Sequence, residues 1–537
     1  MKRWHGNPWA ILVTLSLGFF MTLLDLTIVN IAMPSMIDKL HASLDEVLWV
    51  VNAYVLVLAV LIITAGRLGD LRGQRNLFIA GVAIFTLASL LCGISQNPAE
   101  LIAARAVQGL GSALLMPQTM AIIIATFPAQ RRGTALGIWG AVAGVATIAG
   151  PTLGGFLVTA FDWRWIFFVN LPIGVAVLVL AFAVIPSVRF ERKHRLDLAG
   201  VLIATAALFC LVFALTEGQR YDWNGVIWGL FAAAAVLFVV FLVQQRSRQD
   251  REPLVPFVLF QDRNFTVLNF VGAVLSIGMI GVFLPFTIYL QSVLGFSALK
   301  AGLVMAPSSV VSMFLAPVAG RLSDKIGGKY ILMAGLTLYG IGMGWTVAIA
   351  DVGTPWPAFL APMIVSGIGI GGVFAPMATE TMRGVDPRMA GAASGVNNTT
   401  RQVGSVIGSA ATGAILQNQL ASHLRDEAAK RAGALPPDAR GPFVEGFNKA
   451  AKGGLEVGAG QTGAAQHLPR NLPQQVVDQI TRTAEGVFSH GFVGAMRPTM
   501  TLPVALVFVG AAACLAVRGY RRTAEDRSPE TVEATTG

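Results

Sequence analysis

The sequence predicts an all-α polytopic membrane protein of fourteen transmembrane helices, and three observations carry that prediction. The 537 residues are 54% hydrophobic and only 13% charged, with a mean hydropathy of +0.65, whereas an average soluble domain carries about 25% charged residues. Apolar runs long enough to cross a bilayer follow one another along most of the chain. The chain also repeats itself, so that the runs sort into two related sets of six with two more inserted between them.

The runs fall at 9–33, 47–66, 77–95, 99–127, 133–158, 165–185, 197–216, 226–244, 265–290, 299–320, 331–350, 357–380, 390–416 and 499–518. At about 1.5 Å per residue, about 20 residues of helix cover a hydrocarbon core of about 30 Å. Lys2 and Arg3 precede the first run as they would a signal peptide. No small-residue cleavage site follows, and Asp25 is foreign to such a segment, so a retained helix is expected. With the N-terminus in the cytoplasm, 24 Lys and Arg residues fall in inner segments against four in the short outer loops: Lys39, Arg164, Arg220 and Lys300. That is the positive-inside pattern, and it predicts cytoplasmic termini at both ends.

The repeat is read from two matches. Gly66-Arg67-Leu68-Gly69-Asp70-Leu71-Arg72-Gly73-Gln74-Arg75 returns as Gly320-Arg321-Leu322-Ser323-Asp324-Lys325-Ile326-Gly327-Gly328-Lys329, and Gly133, Ala135 and Gly137 return as Gly391, Ala393 and Gly395. Their offsets of 254 and 258 exceed the length of six helices by about the two runs at 197–244. The expected organisation is a six-helix bundle at 1–190, an inserted pair at 191–250, second-bundle helices at 251–416, a long outer segment at 417–498, and a last helix with its tail at 499–537. Within the outer segment, Gln417–Ala432 and Leu472–Met496 read as amphipathic helices and 450–466 as a loose Gly/Ala-rich stretch. Both a part in substrate release and a tolerated surface insertion are open for it.

Two side chains inside the runs are costly. Asp25 lies in the stretch Leu24–Pro34, in a run with no other charge before Asp38, and Arg105 lies in the fourth run at a similar depth. Ionised groups in hydrocarbon face a protein interior or a watery cavity and commonly handle ions or protons. The plainer readings are an Asp that hydrogen-bonds a neighbouring helix and an Arg that snorkels to headgroups. Burial disfavours an ionised acid and a nearby guanidinium favours it, which is how a carboxylate can exchange its proton with conformation. In the loop 66–75, Gly66, Gly69 and Gly73 permit a tight turn, and Asp70 among Arg67, Arg72 and Arg75 can oppose a helix N-terminus across the gap between bundles. The loop is either a conformational latch, with Asp324 as its repeat, or a basic turn that sets topology. The fifth run carries Gly133/Gly137, Gly140/Gly144 and Gly150/Gly154 at i,i+4 spacing, which lets helices approach closely, and Pro151 permits a kink.

These residues resemble the major facilitator superfamily. The paired Gly-Arg-Leu-x-Asp-x-x-Gly-x-basic loops look like its cytoplasmic signature. Leu101-x-x-x-Arg105-x-x-Gln108-Gly109-x-Gly111, Gly150-Pro151-x-x-Gly154-Gly155 and the Leu24–Pro34 stretch, with fourteen runs, resemble its branch of fourteen-helix drug:proton antiporters. The resemblance covers the chain outside 417–498. It implies the major facilitator fold, a central cavity lined by helices 1 and 4, a gating role for Asp70 and Arg75, and an exporter's compliant seam at Gly150, Pro151, Gly154 and Gly155. Gln74 departs from the basic residue common at that position. Asp25 is then expected to carry the proton, with Arg105 controlling its affinity. Arg401, a second cation within a span, also matches the family, and Glu380 is either its partner or interfacial. Asn30, Tyr54, Gln108, Asn52, Gln118, Asn170 and Gln291 are polar groups that line a cavity or bond between helices.

Other classes fit poorly. Cys92, Cys210 and Cys514 stand apart in separate runs, so neither a disulfide framework nor a metal site is expected. No phosphate-cradling GxxxxGK[ST] loop or HExxH helix is present. The net charge of +10 is explained by its placement in inner loops and does not indicate nucleic acid. The expectation is a monomeric, multi-pass protein of the cytoplasmic membrane, without cofactor and not an enzyme, that exchanges inward protons for a small lipophilic drug or antibiotic by alternating access. Export of the host's own antibiotic, of an amphiphilic lipid or of a siderophore-like metabolite is the alternative cargo, and a facilitator or sensor shares the fold.

Overall fold

The structure, a computed structural model, describes residues 5–186, 197–218, 220–250, 253–452 and 474–519. The regular elements among these residues are helices. They are α1 (Pro8–Leu40), α2 (Leu44–Arg72), α3 (Gln74–Ile94), α4 (Pro98–Thr126), α5 (Ala129–Ala160), the short α6 (Trp165–Phe168), α7 (Asn170–Val184), α8 (Leu198–Glu217), α9 (Gly225–Ser247) and α10 (Arg263–Ile288), followed by α11 (Ala298–Ile326), α12 (Lys329–Ile349), α13 (Leu360–Gly371), α14 (Phe374–Met382), α15 (Ala390–Arg431), α16 (Pro437–Lys452) and α17 (Gln474–Ala513). Among the described residues, twelve stretches are long and apolar enough to cross a membrane. The long helices α5 and α15 fall outside that set; α15 carries the polar run Asn397–Gln402.

Local chemistry sets most boundaries. Asn7, Asn97, Asn224 and Asp262 each accept a backbone N–H at the start of the helix that follows, and Ser43 and Glu46 form a reciprocal capping box on α2. One residue, Gly73, separates α2 from α3, and it adopts φ 95°. Gly327, at φ 87°, turns α11 into α12 in the same way, so the two copies of the repeated loop turn on glycines in a region that side chains avoid. The expected run 165–185 is broken after Phe168, because Pro172 has no N–H to offer the Phe168 carbonyl. The run 357–380 divides at Gly372–Val373 for the same reason, Pro376 standing four residues beyond Gly372.

Helices α1 to α5 and α7 pack on one another, as do α10, α12, α13, α15 and α17. The two sets meet where α5 lies along α11 and α2 along α15. Glycine makes those crossings close: a methyl on Gly137 would sit 2.6 Å from Ala316 O, and one on Gly66 would sit 2.9 Å from the Gly395 Cα. Helices α8 and α9 pack on each other, with α8 leaning on α2 and α15. Their base is tied by Asp197, which accepts from Gln244 Nε2 at 2.8 Å and Gln245 Nε2 at 2.8 Å. Large apolar side chains on the pair stay exposed, among them Leu202, Trp228, Val236 and Val243, as expected of surfaces that face lipid.

Two helices are longer than a bilayer crossing requires. The 42 residues of α15 and the 40 of α17 make rods of about 60 Å, about twice a hydrocarbon core. The expected amphipathic helices are therefore not separate elements: Gln417–Arg431 continues α15, and α17 runs from Gln474 straight into the last apolar run. Leu416, Leu420, Leu424 and Ala428 recur at i,i+4 on α15 and pack with Phe443 and Phe447 of α16 and Ile480 and Val487 of α17, so burial sustains the helix beyond the apolar run. Most of the Gly/Ala-rich stretch 450–466 lies outside the described residues, as do Lys2, Arg3, the basic residues of 187–196 and the tail from 520.

The glycines of α5 are not equivalent. Gly137 has no room for a methyl, whereas nothing approaches within 4 Å of one placed on Gly155. Gly137→Ala is expected to lower stability by about 1–3 kcal/mol through overpacking. Gly155→Ala is expected to be neutral or to stabilise by up to about 1 kcal/mol through helix propensity. Thermal unfolding in detergent checks the pair.

Candidate functional site

Five helices converge on Asp25, which is fully buried. Its Oδ2 accepts from Arg105 Nη1 of α4 at 2.5 Å, and its Oδ1 accepts from Gln108 Nε2 at 3.0 Å and from Asn170 Nδ2 of α7 at 3.3 Å. Every one of these partners donates, the arrangement suited to an ionised carboxylate. Arg105 is also fully buried. It donates from Nε to the Val50 carbonyl of α2 at 3.0 Å and from Nη1 to Gln108 Oε1 at 2.6 Å, and its guanidinium lies 4.3 Å from the Tyr54 ring centroid and 5.8 Å from that of Phe167. Tyr54 in turn shares a 2.7 Å hydrogen bond with Ser112.

Helical spacing explains the convergence. Arg105, Gln108 and Ser112 stand at i, i+3 and i+7 on one face of α4. The Gln108 amide touches acid and guanidinium together and donates to Ser89 Oγ of α3 at 2.6 Å, where Asn170 Nδ2 also donates at 3.2 Å. A buried ion pair holds only when its remaining lone pairs and protons are satisfied, and these groups supply that satisfaction. Arg105 does not snorkel. Ser89, Ser112 and the Val50 carbonyl were not singled out in the sequence; the i+7 spacing from Arg105 was the available signal for Ser112, and nothing local marks the others.

The Leu24–Pro34 stretch and the Gly-Pro-x-x-Gly-Gly stretch lie against each other. Gly150 abuts the Thr27 side chain, a methyl on Gly154 would meet Ile28 Cγ1 at 2.7 Å, and Thr27 Oγ1 reaches the Ala146 carbonyl at 3.4 Å. Pro151 falls within α5, but its side chain lies outside the described residues. Asn30 is exposed and donates to its own helix at Leu26 O, 3.0 Å away.

The repeated acids work reciprocally. Asp70, at the end of α2, accepts from the Gly391 and Ala392 N–H groups at 2.8 and 2.7 Å, at the start of α15. Asp324, at the end of α11, accepts from Gly133 N at 2.7 Å and from Thr134 N and Oγ1 at 2.9 and 3.0 Å, near the start of α5. Each repeat thus holds a helix of the other with a carboxylate: Asp70 caps the unpaired N–H groups at the start of α15, and Asp324 meets the second turn of α5, on the side where the helix dipole favours negative charge. Arg75 reaches the Phe182 carbonyl at 3.0 Å; Arg72 is exposed, and its carbonyl accepts from Asn76 Nδ2 at 3.5 Å.

Glu380 does not pair with Arg401. It accepts from Gly328 N at 2.5 Å and pairs with Arg383 at 3.1 Å. Arg401 lies over the Phe374 ring, 5.0 Å from its centroid. Asn52 donates to Glu217 of α8 at 3.1 Å and Gln118 to the Ala65 carbonyl at 2.9 Å, both bonds between helices, while Gln291 is exposed. A largely apolar cavity of about 510 Å³ lies among α2, α8, α9, α10 and α15, walled by Ile63, Leu211, Phe238, Ile277 and Val403. Among the described residues no group of three or more His, Cys, Asp or Glu side chains is placed to hold a metal.

A buried ion pair, reciprocal acid contacts and helices long enough to cross a bilayer describe a multi-pass membrane protein, and the family it matches is one of membrane transporters rather than enzymes. Residues 15–409 match the model of the Major Facilitator Superfamily, to which the chain belongs. It is 31% identical over 529 residues to the Tetracenomycin C resistance and export protein of Streptomyces glaucescens, covering 98% of this chain and 94% of that one. It is 35% identical over 416 residues to the Multidrug resistance protein Stp of Mycobacterium tuberculosis, covering 77% and 76%. Among solved structures, the human organic anion transporter MFSD10 superposes with a TM-score of 0.57 at 12% identity, over 93% of this chain and 99% of that one, which shows the shared fold.

The ion pair and the caps make separable demands on stability. Asp25→Ala leaves a guanidinium that cannot shed its proton, whereas Arg105→Ala leaves an acid that can take one up. The first is expected to cost about 3–5 kcal/mol and the second clearly less, by thermal unfolding of detergent-solubilised protein. Asp324→Ala, which removes the three hydrogen bonds between α11 and α5, is expected to cost about 1–3 kcal/mol, with Asp324→Asn between it and the unmodified chain.

Proposed function

We propose that the chain is a proton-coupled antiporter that exports lipophilic drugs or antibiotics across the cytoplasmic membrane by alternating access. The observation that carries this reading is the closed Asp25–Arg105–Gln108 cluster. Taking up a proton turns Asp25 from acceptor to donor and removes the charge opposite Arg105, which then keeps Gln108 Oε1 and the Val50 carbonyl as acceptors. The cluster cannot stay as it is through that change, so protonation is tied to rearrangement of α1 against α4. One proton moving down one pH unit releases about 1.4 kcal/mol, enough to sustain about a tenfold gradient of cargo.

In this reading α5 and α15 span the membrane with the other twelve stretches, which gives fourteen spans, cytoplasmic termini and an outer lobe at 417–498. The units are 1–190 and 251–416 as the rocking bundles, 191–250 as the inserted pair, and 499–537 as the last helix with its tail; the transporter works as a monomer. Asp70 and Asp324 hold the cytoplasmic end shut, with Gly66, Gly73, Arg72 and Arg75 shaping and anchoring the first latch. The seam at Gly150, Pro151, Gly154 and Gly155 passes movement of α1 to α5, and α5 passes it to α11. The names of the two relatives, resistance and export of tetracenomycin C and multidrug resistance, support a drug or antibiotic as cargo. The apolar cavity beside the inserted pair suits a lipophilic one.

Asp25→Asn keeps the size of the side chain and imitates the uncharged, protonated acid, with a donor where one carboxylate oxygen accepted. In everted vesicles it is expected to abolish efflux driven by a pH gradient while the protein still inserts; undiminished gradient-driven efflux removes Asp25 from the coupling.

A further inference from the structure

Arg401 stands, like Arg105, inside one of the apolar runs, and among the described residues it has neither an ion pair nor a hydrogen bond from its side chain. The buried acids Asp25 and Glu380 are committed elsewhere, Asp25 to Arg105 and Glu380 to Arg383 and Gly328 N. Its stem runs along α10, where a methyl on Gly272 would lie 3.4 Å from Arg401 Cγ and 3.9 Å from Met377 Sδ. Its head lies over the ring of Phe374, and that residue's Cβ would sit 3.6 Å from a methyl on Gly140 of α5. The pair therefore stands where α5 meets the second set of helices.

Arg105 and Arg401 are both deep in the protein, yet Arg105 is sealed, whereas Arg401 and Phe374 each keep part of their surface open. Their open surface lies where α10, α14 and α15 come together with α5, so a solute can meet the guanidinium there. An uncompensated guanidinium at such depth costs more than one cation–π contact returns. The Arg fork is built to take a carboxylate or a similar anion through two parallel hydrogen bonds, and the walls around it are Phe374, Met377 and Gly272.

We infer that Arg401 and Phe374 form the head-group subsite for cargo, and that the cargo is a lipophilic anion bearing a carboxylate or an ionised phenol. This rests on the export reading above and deepens it. Charge bookkeeping then follows: one proton entering and one monoanion leaving together move two positive charges inward, so the inside-negative potential drives the cycle along with the pH gradient.

The test uses the full chain in detergent at pH 7 with three probes of one ring system, 2-naphthoate, 2-naphthamide and 2-naphthyl-trimethylammonium, titrated by calorimetry. Naphthoate is expected to bind at least tenfold more tightly than naphthamide, and the ammonium probe least. Arg401→Gln is expected to erase the advantage of naphthoate while leaving naphthamide unchanged, Arg401→Lys to keep part of it, and Phe374→Leu to weaken all three alike. Absence of naphthoate binding, equal affinity for naphthoate and naphthamide, or a preference that survives in Arg401→Gln overturns the assignment. The comparison in the unmodified chain needs no variant to fold. Binding is read without a gradient, so its outcome is independent of whether Asp25 couples to protons.

Discussion

The pairing of Asp25 with Arg105 is the constraint that arranges the first set of helices. Two charges withdrawn from water hold only if each remaining lone pair and N–H is matched, and no single helix carries enough polar groups to do that. The matching is spread over α1, α2, α3, α4 and α7: Gln108 and Asn170 on the acid, the Val50 carbonyl on Arg105, Ser89 beneath both amides. Those helices are thereby held at one mutual depth and rotation. Apolar packing alone specifies this weakly, since lipid tails are as apolar as Leu.

Helix α5 connects that cluster to the rest of the molecule. One part of it takes Thr27 and Ile28 of α1 against Gly150 and Gly154; another takes α11 against Gly133 and Gly137. Its first turns are capped by Asp324, as those of α15 are capped by Asp70. The pseudo-symmetry has a physical use. Each repeat contributes a carboxylate and a glycine-lined helix start, so the two halves are fastened at two equivalent points with the same chemistry.

Much of this was legible in the sequence, because it was written in short spacings. The interruption of an apolar run by Asp25 and the shared depth of Arg105 pointed to their pairing. The recurrence of Gly133/Gly137 as Gly391/Gly395 beside the recurrence of Asp70 as Asp324 held the reciprocal caps, although only the resemblance of the loops, and not which helix each acid meets, could be read. The partners of the ion pair beyond Gln108 were hidden, because a Ser or Asn in a span looks the same whether it bonds its own helix or another. Asn30 bonds its own helix and Asn170 reaches across to Asp25. Helix ends were hidden too. Hydropathy locates the bilayer crossing and not the end of the hydrogen-bond ladder, so the continuation of α15 to Arg431 and the start of α17 at Gln474 registered as separate amphipathic segments.

That continuity ties distant parts of the molecule mechanically. Helix α15 meets Asp70 at its first residues, carries Arg401 in its first third, and ends in the lobe with α16 and the start of α17. A stiff rod of about 60 Å acts as a lever, and tilting it by about 5° carries its tip about 5 Å. The lobe is therefore a pointer fixed to the Asp70 contact, and anything that grips it, a neighbouring protein or an antibody, also grips the far end of α15.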